Sequence, residues 1–144
     1  MNNFEFEHNG EKLWYSRSLA CNIGVFRINN DEYEVLACKR GQGCEFNKGL
    51  WNIPGGFIDF NENAAQCAVR ELFEETGVKI SEKQVFFNNL STNPRGVRQT
   101  MNASHYAFFD KEETLNWVFT TEFSENEETE EIKWIPMSEL KNYK

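Results

Sequence analysis

A mixed α/β fold is what this chain of 144 residues predicts, and three observations predict it. Leu19 to Ile28 (LACNIGVFRI) and Tyr33 to Arg40 (YEVLACKR) are apolar, partly β-branched runs on either side of Asn29-Asn30-Asp31, the pattern of two paired strands joined by a polar turn. Between Gly56 and Val78 a helix carries an apolar stripe at Ala65, Ala68, Val69 and Leu72, which can pack on that sheet. Near the C-terminus, Glu130 to Ile135 reads as another strand, and Pro136 then opens a short helix through Ser138-Glu139-Leu140. A single domain over residues 1–144 is expected, because this length serves one core and no repeat or Pro/Gly/Ser linker divides it.

Taken in order, Phe4-Glu5-Phe6-Glu7 alternates like a short strand, and Asn9-Gly10 followed by Lys12 to Tyr15 suggests a hairpin that offers a sheet edge or a homodimer contact. Gly41 to Gly49 is a polar, glycine-containing loop without the Lys-Ser/Thr of a phosphate-binding P-loop, and it reads as a mobile segment on the substrate side. Leu50 to Ile53 is a short strand that delivers the stiff Pro54-Gly55-Gly56 turn. Beyond the helix, Gln84 to Leu90 and Ser104 to Phe109 read as strands around a loop containing Pro94, Arg95, Gly96 and Arg98.

The helix has readable ends. Asn63 is a good N-cap and Gln66 can complete a capping box, so the helix starts near Ala64. Gly77, tolerant of positive φ, follows its last turn. Glu71, Glu74 and Glu75 then crowd onto one face at i, i+3 and i+4, and two of them lie in the final turn, where the helix dipole disfavours negative charge. A bound divalent ion accounts for such crowding better than chance. Arg70 can offset part of the repulsion and orient a carboxylate.

The spacing is Gly56, five residues, Glu62, seven residues, Arg70-Glu71-Leu72, one residue, Glu74-Glu75, one residue, Gly77-Val78. Every fixed position of the signature of the Nudix hydrolases is thereby occupied, nine positions in 23 residues, and the chain resembles that family. The resemblance sharpens the fold to an α/β/α sandwich with a mixed sheet and a loop-helix-loop metal site. It implies Mg²⁺ or Mn²⁺ held by Glu71, Glu74, Glu75 and the backbone carbonyl of Gly56, with Glu62 as a supporting carboxylate or minor ligand. Mg²⁺ suits oxygen ligands, screens charge on a pyrophosphate and lowers the pKa of bound water. For the general base the family uses either a glutamate of the motif, here Glu71 or Glu74, or one on a distant loop. Glu131, three residues before Trp134, resembles that second segment, with Glu127 next.

Asn93 to Thr100 (NPRGVRQT) looks like the Asp-Pro-Arg-Gly segment of the ADP-ribose pyrophosphatase branch, with Asn93 in place of Asp and Pro94 sixteen residues past Val78. The resemblance makes ADP-ribose or a related nucleotide sugar the leading substrate. Arg95, Arg98 and Arg40 could bind phosphates or ribose hydroxyls through their forked donors. Phe46, Trp51 and Phe123 are candidates to stack on a base. The alternatives are a nucleoside triphosphate pyrophosphatase that clears damaged nucleotides and a Nudix-fold sensor that binds without hydrolysing.

Composition removes other classes. A net charge of −8 without a Lys/Arg run argues against a nucleic-acid face. No apolar run reaches the roughly 18 residues of a membrane span, and MNNFEFEHNGEK has neither the basic nor the apolar region of a secretion signal, so a cytoplasmic protein is expected. Cys21, Cys38, Cys44 and Cys67 form no zinc-like spacing with His8 or His105 and read as reduced, structural residues.

Overall fold

The structure is a computed structural model, described over residues 3–94 and 99–143. Its centre is a mixed sheet organised on β3 (Leu19–Asn29) and β4 (Glu32–Arg40), antiparallel strands joined through Asn30 and Asp31, whose φ angles of 49° and 62° give the tight turn that suits strand twist. On its other edge β3 runs parallel to β8 (Met101–Asp110) from Leu19↔Met101 to Ile28↔Asp110, and β7 (Phe86–Ser91) pairs antiparallel with β8. The fold is therefore the mixed α/β class that the sequence predicts.

β3 and β4 pair only over Phe26–Asn29 with Glu32–Val35 and then diverge. Into the gap comes β6 (Gly55–Phe57), which pairs with Ala20–Asn22 of β3, while β5 (Trp51–Asn52) pairs with Cys38 and Lys39 of β4 and β9 (Thr129–Pro136) runs antiparallel along β4 from Glu34 to Arg40. This fork positions the site. A Cβ on Gly55 would run into the backbone of Cys21 and Asn22, so a residue without a side chain is what lets β6 enter.

One face of the sheet is closed by α1 (Ala64–Thr76) over a core of Cys21, Ile23, Val25, Leu36, Ala107 and Phe109. The opposite face has a smaller core of Val35, Ala37 and Ile135, capped by Tyr143 after a 3-10 segment, Met137–Asn142, that replaces the expected terminal helix while Pro136 still belongs to β9. A four-residue helix, α2 (Lys111–Thr114), follows β8. Neither α2 nor β6 is anticipated from sequence. Among the described residues no helix is long and apolar enough to cross a membrane.

β1 (Phe4–His8) and β2 (Glu11–Tyr15) form the expected hairpin, turning at Asn9 and Gly10 with φ of 52° and 80°, as a separate two-stranded sheet with every strand residue exposed. All four cysteines are free and buried, as the sequence suggests.

Candidate active site

The helix that carries the acids is defined locally. Asn63 Oδ1 accepts from the amides of Ala65 and Gln66 at 2.9 and 3.0 Å, Gln66 Oε1 accepts from the Asn63 amide at 2.9 Å, and Gly77 closes the helix at φ 77°. The buried stripe is Cys67, Ala68, Leu72 and Thr76, rotated from the expected Ala65, Ala68, Val69 and Leu72, of which Ala65 and Val69 are only half-buried. Thr76 can be buried because its hydroxyl donates to Leu72 O at 2.5 Å and accepts from the Val78 amide at 3.2 Å.

Arg70 organises the acidic face. Its guanidinium donates from Nε and Nη2 to both oxygens of Glu62 at 3.1 and 2.7 Å, from Nη1 to Glu71 at 2.8 Å and Glu74 at 3.1 Å, and from Nη2 to the Phe57 carbonyl at 2.9 Å. The fork holds the Glu62 carboxyl down to about 2 from 4.5, and Glu62 also accepts from the Asp59 amide at 2.8 Å. Glu62 is thus committed to Arg70, which fits the supporting role rather than that of a ligand.

Glu75 stands differently. Burial, then the charge of Glu71, pushes its carboxyl up to about 8, although the Gly55 amide and the Cys38 thiol donate to it. Its Oε2 is buried with no hydrogen-bond partner among the described residues. Glu71 is raised too, chiefly by burial and against the pull of Arg70. Gly56 lies directly against Glu71: a Cβ there would collide with the Glu71 carboxylate, so a backbone carbonyl can approach this acid only because the position is glycine.

Among the described residues no three His, Cys, Asp or Glu side chains converge as a ready-made metal cage. The donor set nonetheless suits a hard divalent cation. Three carboxylates and a carbonyl are oxygen donors of the kind Mg²⁺ and Mn²⁺ take, and the unpartnered Glu75 oxygen is a buried acceptor that Arg70 does not satisfy.

All of these but Glu75 border a cavity of about 500 Å³. Gly56, Glu71 and Glu74 line it, as does Arg40, whose Nε donates to the Phe46 carbonyl at 3.0 Å. Glu75 is held beneath, between Gly55 and Cys38. Arg95 and Arg98 lie outside the described residues. Glu131 is not brought to the cavity: it sits opposite Lys39 on β9, with its carboxylate 3.6 Å from Lys133 Nζ. Glu125 and Glu128, which sequence reasoning passed over, line the cavity instead. Of the three candidate stacking residues only Phe46 is in it, since Trp51 packs edge-on to Tyr143 at 5.6 Å and Phe123 stacks on Phe73 at 4.6 Å.

The acidic segment is held by the glycine loop. The Gly41 amide donates to Glu128 O at 2.7 Å, the Gly43 amide to Glu127 O at 3.3 Å, and the Cys44 thiol to Glu128 O at 3.2 Å. Cβ atoms on Gly41 or Gly43 would strike the backbone of Glu127 or Asn126. The start of the loop expected to be mobile is therefore clamped against residues 126–128, with Glu128 close enough to add to the upward shift of Glu75.

A forked mixed sheet, a Pro-Gly-Gly entry and a capped acidic helix facing a carboxylate-lined cavity make up a loop-helix-loop arrangement. The chain belongs to the Nudix family: the model of the NUDIX domain matches residues 19–144. It is similar to Nudix hydrolase 2 of Arabidopsis thaliana, 30% identical over an alignment of 125 residues that covers 83% of this chain and 40% of the relative. Against a bifunctional NMN adenylyltransferase/ADP ribose pyrophosphatase of Francisella tularensis, complexed with AMP and Mn ion, it has 27% identity and a TM-score of 0.63, covering 88% of this chain and 36% of that one. The NUDIX domain of Shewanella oneidensis NrtR, complexed with ADP ribose, is 19% identical with a TM-score of 0.71 over 90% of this chain and 79% of that one, a likeness of fold. The chain spans about 40% of the length of the Arabidopsis relative.

Proposed function

We propose that this chain is a divalent-metal-dependent pyrophosphohydrolase that cleaves a nucleoside diphosphate linked to another moiety, with ADP-ribose or a related nucleotide sugar as the leading substrate. The observation that carries the reading is the buried Glu75 oxygen, unpartnered among the described residues, beside Glu71, which lines the cavity together with Glu74 and Gly56. Glu71, Glu74, Glu75 and the Gly56 carbonyl would hold Mg²⁺ or Mn²⁺. The ion, when bound, lowers the pKa of water and screens charge on the pyrophosphate. Support for ADP-ribose comes from the Asn93 to Thr100 segment and from likeness to the Francisella enzyme.

The chain's own groups divide the work. Arg70 sets the orientation of Glu71 and Glu74 through two charged hydrogen bonds. Arg40 offers a cation at the cavity wall for a phosphate, with Arg95 and Arg98 as further phosphate or ribose contacts. Water loses its proton to a carboxylate of the cavity, Glu74 or Glu128, in preference to Glu131, which is turned toward Lys133. The products would be a nucleoside monophosphate and a phosphorylated partner.

The test is initial rates of phosphomonoester formation, with and without Mg²⁺, across ADP-ribose, other nucleotide sugars, dinucleoside polyphosphates and nucleoside triphosphates. Metal-dependent preference for ADP-ribose is expected. Preference for a triphosphate would transfer the reading to nucleotide clearance, and saturable binding with no turnover of any compound would transfer it to a sensor.

A further inference from the structure

β3 and α1 meet at two sulfurs. Cys21 lies on β3, paired in register with Gly56 of β6, and Cys67 lies in the first turn of α1, where its amide donates to the Asn63 carbonyl at 3.0 Å. Alternation on β3 turns Cys21 toward the helix together with Ile23 and Val25, and Cys67 belongs to the buried stripe of α1 with Ala68 and Leu72. The two buried thiols therefore face each other between helix and sheet, 46 positions apart in sequence, with Cys21 Sγ donating to Cys67 Sγ at 2.6 Å. Cys38 and Cys44 are engaged elsewhere, the first with Glu75 and the second with the Glu128 carbonyl.

We propose that Cys21 and Cys67 form a modification site, which a peroxide converts to a disulfide that ties the start of the acidic helix to the central strand. The inference does not depend on what the chain hydrolyses. Three observations lead to it. The sulfurs are already in contact and come from a strand and a helix, so an S–S bond of about 2.05 Å needs an approach of about half an ångström and no rearrangement. The pair stands directly behind the cavity wall: Cys67 Sγ is 3.5 Å from the Phe57 carbonyl and accepts from Arg70 Nη2 at 3.6 Å, and Phe57 and Arg70 both line the cavity, so this rim is what a small oxidant has to pass. The ring closed by the bond contains β4, β5 and β6, so it takes a large share of the freedom from the unfolded chain.

One thiol sulfur attacks the O–O bond of the peroxide, becoming S–OH and releasing one water; the second sulfur then displaces that hydroxyl, which leaves as a second water with the remaining thiol proton. In sum, two S–H bonds and one O–O bond break and one S–S bond forms, with each sulfur oxidised by one electron and the peroxide oxygens reduced. Contact with Cys21, then burial, push the Cys67 thiol up, so it stays protonated at neutral pH and the oxidation is slow. The carboxylates keep their organiser in the oxidised form, because Arg70 holds the Phe57 carbonyl by its own hydrogen bond at 2.9 Å.

The test is to hold the folded, reduced wild type in hydrogen peroxide for minutes to hours, then count alkylatable thiols after unfolding, map the peptides by mass spectrometry and melt the same samples. The thiol count should fall from four to two, with a peptide joined through Cys21 and Cys67, a Tm raised by roughly 5–15 °C, and reversal of all three by dithiothreitol. Cys67→Ala, treated alike, should keep its thiols and its Tm. Cys21 and Cys67 both still open to alkylation, a cross-link through Cys38 or Cys44 instead, sulfinic acid at either position without a cross-link, or a Cys21–Cys67 bond that leaves Tm unchanged or lower overturns the proposal. Should Cys67→Ala fail to fold, the mapped peptide, the Tm and their reversal in the wild type decide on their own.

Discussion

Replacing Glu62 with Gln removes the charge that both the Nε and Nη2 of Arg70 grip. The magnitude follows from the depressed carboxyl. Holding it at about 2 against 4.5 corresponds, at about 1.36 kcal/mol per pH unit, to a ceiling of about 3.4 kcal/mol. The Glu62 side chain is 14% exposed and that of Arg70 28%, so solvent screens part of the interaction, and glutamine can still accept one hydrogen bond. A loss of about 2 kcal/mol at neutral pH is expected. Because the folded carboxyl lies below its unfolded value, this stability is fully present above about 4.5 and drains as pH falls toward 2. Urea unfolding followed by tryptophan fluorescence, at a series of pH values from neutral down to 3, reads both features. Wild type should exceed Glu62→Gln at neutral pH, with the gap narrowing below about 4.5. A variant within about 0.5 kcal/mol of wild type at neutral pH, or a gap constant across the series, would refute the reasoning.

Three further predictions follow from the same geometry. Gly56→Ala puts a methyl group into the Glu71 carboxylate and should lower kcat/KM on the order of 100-fold while circular dichroism stays native; full activity would contradict the close approach. Asn63→Ala removes the acceptor for two helix amides, which should cost about 1 kcal/mol and lower Tm by about 2–4 °C in a thermal melt. Glu128→Gln should reduce kcat at least on the order of 100-fold if Glu128 takes the proton, whereas Glu131→Gln should change it less than about twofold, and the reverse ranking in steady-state kinetics would return the role to Glu131.

The residues whose roles were legible are those with local rules. Asn63, Gln66 and Gly77 bound the acidic helix through contacts within a few positions of one another, and Asn9-Gly10 specifies its hairpin by turn chemistry alone. Thr76 was not read as a core residue because its hydroxyl looks polar until the helix satisfies it. β6 carries no hydrophobic pattern, and what makes Gly55–Phe57 a strand is the open edge of Ala20–Asn22. Glu131 depended on register. A shift between Lys39 and Arg40 sets Glu131 against Lys39 and Thr129 against Arg40, and a change of one residue turns a strand side chain to the other face. Spacing along a run of glutamates holds no such information, nor does it say that Gly41 and Gly43 clamp Glu127 and Glu128.

The most direct test of the central claim is Mn²⁺ binding followed by electron paramagnetic resonance in wild type and Glu75→Gln, alongside ADP-ribose turnover in the same samples. Glutamine keeps the size of the side chain and removes the charge of the carboxylate whose buried oxygen lacks a partner. The expected result is saturable Mn²⁺ binding by wild type, weakened at least about tenfold in the variant, with turnover lost in parallel. Equal Mn²⁺ affinity and equal turnover in the two proteins would contradict the assignment of Glu75 and, with it, the cation site on which the proposed activity rests.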